Sequence, residues 1–378
     1  MNEALSVRSI PEMTENLERR CQLFGYSLSS HARHRALCGL LVPLIVIAGC
    51  GGSGGGSLAS PGVEPSVYLT QDTPIFEPTE RGSSILQFSA TSNGAVSPTA
   101  TLTGPPNVVF SGLAVDGTGN AYVGGEIFGT GGGSGGPPLA SVEILVYAPG
   151  ASGSHPTRTI TSSSLQINQG GISALALDSS GNLYVSGVLA APNLGSGVAV
   201  FSPTASGDAV TPTRIISGSA TTIVGLGAVP IAIDSADNIY ISTANLVEPD
   251  SILIFDSSAS GNVPPTSTIG GPATTINSIQ GLALDSAGNI YVSNAPSEDI
   301  LVFSAGSTGN VAPIRTISGS ATTISSIGNL ALDSAGNIYV LNDLNLLKFA
   351  PNATGNAAPI GTITTSPGLL STNSIAVR

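Results

Sequence analysis

The chain has 378 residues, of which 48 are Gly, 26 are Pro and none is Trp, and only 9% of the residues are charged. This much Gly and Pro excludes long helices, and the aliphatic and β-branched residues between turn signals predict an all-β protein. The formal net charge of −12 disfavours phosphate backbones and anionic lipid surfaces as partners, so no nucleic-acid binding is expected.

Residues 1–49 differ from the rest and are predicted to be a targeting segment. From Arg19 through Arg35 there are four Arg and no acid, and a 14-residue apolar stretch follows at 36–49. That stretch is shorter than the ~20 residues of a membrane-spanning helix, and it contains Pro43, so export is the better interpretation. The part ahead of the basic cluster is long for such a signal, which suggests the hypothesis of an over-extended translation start.

The segment IAGC at 47–50 resembles the lipobox of bacterial lipoproteins. The resemblance implies that Cys50 becomes a lipidated N-terminus, followed by a Gly/Ser-rich linker that extends to residue 66. The alternative is an ordinary cleaved signal in which Cys50 has no role. Cleavage before Cys50 removes the other two cysteines, so disulfides would not stabilise the mature chain. We therefore expect an exported protein that is attached to the bacterial envelope by a lipid anchor only, on the outer membrane, the periplasmic face or the cell surface.

Beyond the linker, one phrase recurs along the chain. It reads GLALDSAGNIYV at 281–292 and NLALDSAGNIYV at 329–340. An apolar run, an Asp, a tight Gly-Asn turn and a second apolar run predict an inner β-hairpin. Because a catalytic acid is usually needed once, an Asp that recurs at the same turn is interpreted as structural. Its copies are Asp116, Asp178, Asp234, Asp285 and Asp333.

A second hairpin follows each copy, most clearly at 300–317, and its third strand ends in an aromatic residue. The six aromatic residues are Phe88, Tyr147, Phe201, Phe255, Phe303 and Phe349. Only five inner hairpins are complete, but segment 374–377 supplies a further first strand and segment 67–69 a further second strand. We therefore predict a six-bladed β-propeller of four-stranded antiparallel blades over 67–378, with one blade built from both ends of the chain.

The repeat resembles the NHL family over about 67–378, which implies the same six-bladed propeller. The matching residues are Asp285, Gly288, Asn289, Tyr291, Val292 and the strand from Ile300 to Phe303. The family often has Asn-Asn-Arg before that strand, whereas this chain has Ser-Glu-Asp at 297–299, so a function tied to that Arg is not expected. RNA binding, known in the family, is also disfavoured by the acidic charge.

Length varies mainly between the second and third strands of a blade. The step from Tyr122 to Tyr147 is 25 residues, whereas that from Tyr339 to Phe349 is 10. These connections emerge on one face of the ring, which is the expected binding face. The longest includes the Gly-rich stretch 129–138, whose composition indicates a flexible excursion and not a phosphate-binding loop. The candidate residues of this face are Glu126, Asn245, Glu248, Asp250, Asn294, Glu298, Asp299, Asn342 and Asp343.

The acids of this face have two interpretations, a site for a cation or basic partner and a solvated rim. The rim is favoured because no two acids fall into a calcium-loop spacing. His155 is the only His after Cys50, so a triad is not expected and a site of several His is excluded. The leading hypothesis is a monomeric, non-enzymatic binding or scaffolding module without a cofactor, whose partner is an envelope protein or a glycan. The alternative is a calcium-dependent, lactonase-like hydrolase at the tunnel mouth, to which Asn245, Asn294 and Asn342 would contribute.

Overall fold

The computed structural model describes residues 65–72, 82–128, 139–151, 153–165, 171–189, 195–224, 229–243, 249–364 and 372–378. All of them belong to one compact unit, Val63–Arg378. Three residues singled out from the sequence, Cys50, Asn245 and Glu248, lie outside these ranges, as does the Gly-rich stretch 129–138. In the part of the chain that is described, no helix is long and apolar enough to cross a membrane.

The described residues form 25 strands and three short 3-10 helices. In chain order the strands are β1 (Ser66–Asp72), β2 (Ser83–Ser89), β3 (Gly94–Ala95), β4 (Ala100–Thr103), β5 (Val108–Val115), β6 (Ala121–Phe128), β7 (Leu139–Tyr147), β8 (Arg158–Thr161), β9 (Ile172–Leu177), β10 (Leu183–Leu189), β11 (Gly195–Phe201), β12 (Arg214–Ser217), β13 (Ile231–Ile233), β14 (Ile239–Ser242), β15 (Ile252–Phe255), β16 (Ser267–Ile269), β17 (Ser278–Leu284), β18 (Ile290–Ala295), β19 (Asp299–Phe303), β20 (Arg315–Ile317), β21 (Ile327–Leu332), β22 (Ile338–Asn342), β23 (Asn345–Phe349), β24 (Gly361–Thr364) and β25 (Thr372–Val377). The 3-10 helices are Ser219–Thr221, Pro272–Thr274 and Ser320–Thr322.

The strands make six antiparallel sheets arranged as the blades of a propeller, which confirms the predicted fold. Blade I contains β25, β1, β2 and β4, and blades II to VI contain β5–β8, β9–β12, β13–β16, β17–β20 and β21–β24. Within each blade, the first strand is the one nearest the axis and the fourth strand is the outermost. The two-residue strand β3 adds a parallel pair to the outer edge of blade VI, with Gly94 opposite Ile363. It belongs to blade I and therefore links the two blades.

Blade I is closed by both ends of the chain, as segments 67–69 and 374–377 predicted. The first strand, β25, pairs antiparallel with β1, so that Val67 lies opposite Val377 and Leu69 opposite Ile375. The backbone of Ser66 and Arg378 exchanges two hydrogen bonds of 2.9 and 3.0 Å. Because this pairing closes the ring, neither β1 nor β25 leaves an unpaired edge at the junction.

The core lies between neighbouring sheets. In blade V, Tyr291 and Val302 pack with Val340 and Phe349 of blade VI, whereas Val292 belongs to the core shared with blade IV. The second strand of blade V is therefore buried on both faces, which explains why it begins with the apolar run Ile290-Tyr291-Val292. The six aromatic residues that end the third strands are 0–1% exposed. They fill the space between blades and set the spacing of the ring.

Two faces of the ring follow from this topology. The turn face carries the tight turns between first and second strands, together with the longer turns between third and fourth strands. The link face carries the connections from second to third strands and those from one blade to the next. Blade VI joins Asn342 to Asn345 directly across two residues, whereas blade II spans from Phe128 to Leu139. Length variation is therefore concentrated on the link face.

Candidate functional site

On the turn face, the recurring Asp is bound by the turn that it begins. In blade V, one carboxylate oxygen of Asp285 accepts from the backbone N–H groups of Ala287 (2.9 Å) and Asn289 (2.8 Å). The other accepts from the Asn289 side chain at 2.8 Å and from the Tyr291 hydroxyl at 3.3 Å. Gly288 supplies the positive φ of 82° that the turn requires. Four donors therefore occupy this carboxylate.

The other blades repeat these contacts. Asp116, Asp178, Asp234 and Asp333 each accept from the backbone two residues on and from both the backbone and side chain of the Asn four residues on. Burial alone would raise the pKa of Asp285, but the hydrogen bonds from Asn289, Ala287 and Tyr291 outweigh it and lower that pKa. The pKa of Asp116 is lowered in the same way, against burial, by Asn120 and Thr118. An ionised carboxylate with its acceptor positions filled is a poor general base and a good turn former.

On the link face, two of the candidate acids connect neighbouring blades. Asp250 of blade IV is only 4% exposed and accepts at 2.9 Å from the backbone N–H of Ile279 in the first strand of blade V. Glu298 of blade V accepts at 2.6 Å from the backbone N–H of Ile327, which is the residue of blade VI that corresponds to Ile279. Neither a solvated rim nor a cation site describes these contacts. Both carboxylates therefore accept a hydrogen bond from a backbone N–H group at the start of the first strand of the following blade.

Two further acids of this face are partly buried. The carboxylate of Glu126 lies against Gly171, just before the first strand of blade III. Burial raises the pKa of Glu126, and the charge of Asp72 raises it further, against the lowering effect of the Ser111 hydroxyl. Burial also raises the pKa of Asp299, although Asn294 donates to that carboxylate. In contrast, Asp343 is exposed in the two-residue link of blade VI.

The two described asparagines of the predicted calcium cluster are held within their own blades. Asn294 is fully buried, accepts at 2.7 Å from the backbone N–H of Asn277 and donates at 2.8 Å to Asp299. Asn342 accepts at 2.8 Å from the backbone N–H of Ser325 and donates to the carbonyl of Thr323. Their carboxamides therefore fasten the incoming connection to the second strand.

The axis holds a cavity of about 70 Å³, lined by residues of all six first strands and their immediate neighbours. The lining includes neither Asn294 nor Asn342; it comprises Gly112, Leu113, Ala174, Leu175, Pro230, Ile231, Leu282, Asn329, Leu330, Ser374 and Ile375. Within the described ranges, no three His, Cys, Asp or Glu residues are grouped so that they could share one metal ion. His155 is exposed in the turn between the outer strands of blade II.

Larger recesses lie on the turn face, between neighbouring blades. The recess between blades V and VI has a volume of about 600 Å³ and is lined by Asp285, Tyr291, Arg315 and Asp333 among others. The recess between blades IV and V has a volume of about 440 Å³, and its lining includes Asp234, Tyr240 and Asp285. These recesses were not expected, because the sequence argument placed function on the link face.

Sequence reasoning also missed the basic residues at the boundaries between blades. Arg158, Arg214 and Arg315 each begin a fourth strand and donate to backbone carbonyls of the following blade. The signal was present in the sequence, since RTI, RII and RTI recur at 158–160, 214–216 and 315–317.

No family model matches the chain, and no curated protein matches it. Among solved structures, a protein of unknown function from Bacteroides caccae is similar with a TM-score of 0.56 and 8% identity, covering 83% of this chain and 99% of its own. A "putative 6-phosphogluconolactonase" from Bacteroides uniformis ATCC 8492 has a TM-score of 0.48 and 15% identity, covering 79% of this chain and 82% of its own. At 8% identity, the first likeness concerns the fold alone.

Proposed function

We propose that this protein is an exported, lipid-anchored, NHL-like propeller that serves as a non-enzymatic binding or scaffolding module at the bacterial cell envelope. The observation that carries the proposal is the division between the two faces. The repeated acids of the turn face are occupied by turn hydrogen bonds, whereas the large differences in connection length are on the link face. Variable connections on a rigid scaffold are the usual place for recognition.

The anchor rests on the sequence around Cys50, where a basic region, an apolar region and small residues precede the cysteine. Lipidation of Cys50 would place the ring at a membrane surface on a Gly/Ser-rich tether. Mass spectrometry of the N-terminal peptide of the native protein tests this. The expected result is a peptide that begins at Cys50 and carries acyl chains, and Cys50→Ala should release the protein into the soluble fraction. An unmodified Cys50 in the native protein would exclude the anchor.

The partner is proposed to be an envelope protein or a glycan that contacts the link face. Leu344 is 42% exposed in the link of blade VI and offers an apolar contact there. A photo-crosslinking residue at Leu344 should capture a partner in intact cells. The matched control carries the same residue at Ser180, which is exposed in a turn of blade III. Crosslinking of one species from Leu344 and not from Ser180 supports the proposal. Capture only from Ser180 would contradict it, because Ser180 lies on the turn face.

A calcium-dependent hydrolase is the competing hypothesis, and it makes a different prediction. The axial cavity of about 70 Å³ is several times smaller than the ~300 Å³ at which small-molecule sites begin. If the ring is a binding module, millimolar calcium leaves its melting temperature unchanged. A calcium-dependent rise would instead require a cation site that binds the folded state, and would favour the hydrolase.

A further inference from the structure

A cation occupies the same niche on the turn face at three boundaries between blades. At the V/VI boundary, Arg315 donates to the Tyr291 hydroxyl at 2.7 Å and to the carbonyls of Pro351 and Ala353 at 2.9 and 3.1 Å. Its guanidinium carbon lies 5.6 Å from the centre of the Tyr291 ring. The niche therefore consists of a tyrosine on the second strand and two carbonyls of the following blade. These carbonyls belong to the residues two and four positions after that blade's aromatic residue.

The II/III and III/IV boundaries repeat this arrangement. Arg158 donates to the Tyr122 hydroxyl at 2.9 Å and to the carbonyls of Pro203 and Ala205. Arg214 donates to the Tyr184 hydroxyl and to the carbonyls of Ser257 and Ala259. The guanidinium carbons lie 5.6 and 5.9 Å from the tyrosine ring centres. Two carbonyls, a hydroxyl and an aromatic ring make a niche that suits guanidinium, because this planar group donates several hydrogen bonds while its face packs on the ring.

Two other boundaries hold a different cation of the same chain. At the VI/I boundary, the Lys348 ammonium lies 5.0 Å from the centre of the Tyr339 ring and donates at 3.0 Å to the carbonyl of Ala90. At the I/II boundary, the guanidinium of Arg378 lies against Gly119 in the turn of blade II. Five of the six boundaries therefore carry a positive charge within the described residues.

In the described ranges, the IV/V boundary has no such cation. Ser267 stands where the arginines stand, since it pairs with Ile254 as Arg315 pairs with Val302. Its hydroxyl donates at 2.7 Å to Thr308. From residue 82 to residue 378 the chain has five Lys and Arg residues, and all five are at the other boundaries. Among the residues that the structure describes, none therefore supplies a positive charge at this position.

The rest of the niche is present at the IV/V boundary. Tyr240 is 7% exposed, and its hydroxyl donates to Asp234 at 3.4 Å, as the tyrosines of blades III, V and VI donate to their own Asp. The two carbonyls correspond to those of Ala305 and Ser307, two and four residues after Phe303. The recess of about 440 Å³ opens at this point, and its lining includes Asp234, Tyr240, Asp285, Ala305 and Gly306.

We propose that the IV/V recess binds a guanidinium group supplied from outside, as an arginine side chain of a partner protein. The contacts that hold Arg158, Arg214 and Arg315 would receive the incoming group, and the Asp234 carboxylate adds a negative charge beneath the tyrosine. The deficit of positive charge in the whole propeller favours the approach of a basic segment. This site lies on the turn face, so it is independent of recognition at the link face and survives if that proposal fails.

The test uses the tripeptide acetyl-Gly-Arg-Gly-amide, titrated into the protein by isothermal calorimetry or followed by amide shifts of Ala236 and Gly306. The expected result is one site per chain, with citrulline in place of arginine at least about tenfold weaker because the neutral isostere loses the charge-assisted hydrogen bonds. Ser267→Arg should abolish binding, because the chain then fills its own niche. Ser267→Ala is the matched control and should bind as the natural protein does, since it leaves the niche without a cation.

A second variant tests the internal comparison directly. Arg315→Ser reproduces at the V/VI boundary what blade IV has naturally, so it should raise the stoichiometry from one peptide to two. If that variant is too unstable to titrate, the tripeptide should raise its melting temperature more than the citrulline peptide does. Equal binding of the two peptides, undiminished binding by Ser267→Arg, or absence of binding to the natural protein would each overturn the proposal.

Discussion

The two faces of the ring use their acids in opposite ways. On the turn face, Asp116 and Asp285 receive several hydrogen bonds each, and those bonds lower their pKa despite partial burial. On the link face, Glu126 and Asp299 are buried more deeply, and burial raises their pKa. The difference teaches that a recurring acid is stabilised as a charge by the turn that repeats with it, whereas an acid outside the repeat depends on the particular neighbours of its own blade.

The two faces also differ in where the repeat is interrupted. On the turn face the tight turns are uniform, and the interruption, among the described residues, is the one boundary without a cation, IV/V. On the link face the connections themselves differ in length, from two residues in blade VI to the stretch 129–138 in blade II. Both interruptions are departures from the repeat. We infer that recognition belongs to such departures.

The largest effect is expected from removal of the closing strand. Deleting residues 375–378 takes away the pairing of β25 with β1 and leaves the inner edge of β1 unpaired. We expect a loss of about 5 kcal/mol or more in the free energy of unfolding, or the appearance of oligomers, measured by calorimetry and light scattering. Arg378→Ala keeps the strand and is the control. A monomer with an unchanged melting temperature after the deletion would contradict closure by both termini.

The next effect concerns the arginines between blades. Arg315→Ala removes three hydrogen bonds and the contact with the Tyr291 ring, which should cost about 2 kcal/mol of unfolding free energy. Ser267→Ala at the equivalent position removes only one exposed hydroxyl contact and should change the melting temperature little. Equal losses in the two variants would mean that the cations are incidental to the stability of the turn face.

A smaller effect, with a defined pH dependence, is expected from the turn acids. Asp116→Asn should cost about 1 kcal/mol, because the turn donors lose their charged acceptor. Since the pKa of Asp116 is lower in the folded chain, its stabilising contribution is present above the unfolded pKa of about 3.9 and is lost as pH falls through the folded value. The two proteins should therefore converge in chemical denaturation below about pH 4. A constant difference across the pH range would contradict this explanation.

The smallest effect on stability is expected from Glu126→Gln, and it should be stabilising at neutral pH. Because the folded pKa of Glu126 is raised, the stabilisation linked to its protonation is present below the unfolded pKa of about 4.3 and is lost as pH rises through the folded value. Glu126→Gln removes the buried charge and should raise the melting temperature at pH 7 but not at pH 4. Asp343→Asn, at an exposed acid of the same face, is the control. Destabilisation by Glu126→Gln at pH 7 would show that the charge itself is needed.

The propeller and its closure could be predicted because each blade repeats a short sequence pattern. The turn residues, the six aromatic residues and the unpaired strand segments at the two chain ends suffice to count the blades. The contacts between blades could not be predicted in the same way. Asp250 and Glu298 each reach the backbone of a residue 29 positions later, and the cation of the turn face comes from a fourth strand, a third strand or the chain end. Such contacts depend on how neighbouring sheets face each other, which no single repeat specifies.

The most direct test of the account compares two variants of the same blade. One carries Asp116→Asn on the turn face, and the other replaces residues 129–138 by Asp-Leu, the two-residue link of blade VI. Melting temperature and the amount of partner crosslinked through Leu344 are measured for both. We predict that Asp116→Asn lowers the melting temperature and leaves crosslinking unchanged, whereas the shortened link reduces crosslinking and leaves the melting temperature unchanged. Loss of crosslinking in Asp116→Asn without a change in melting temperature would contradict the assignment of stability to the turn acids and of link-face recognition to the variable connections.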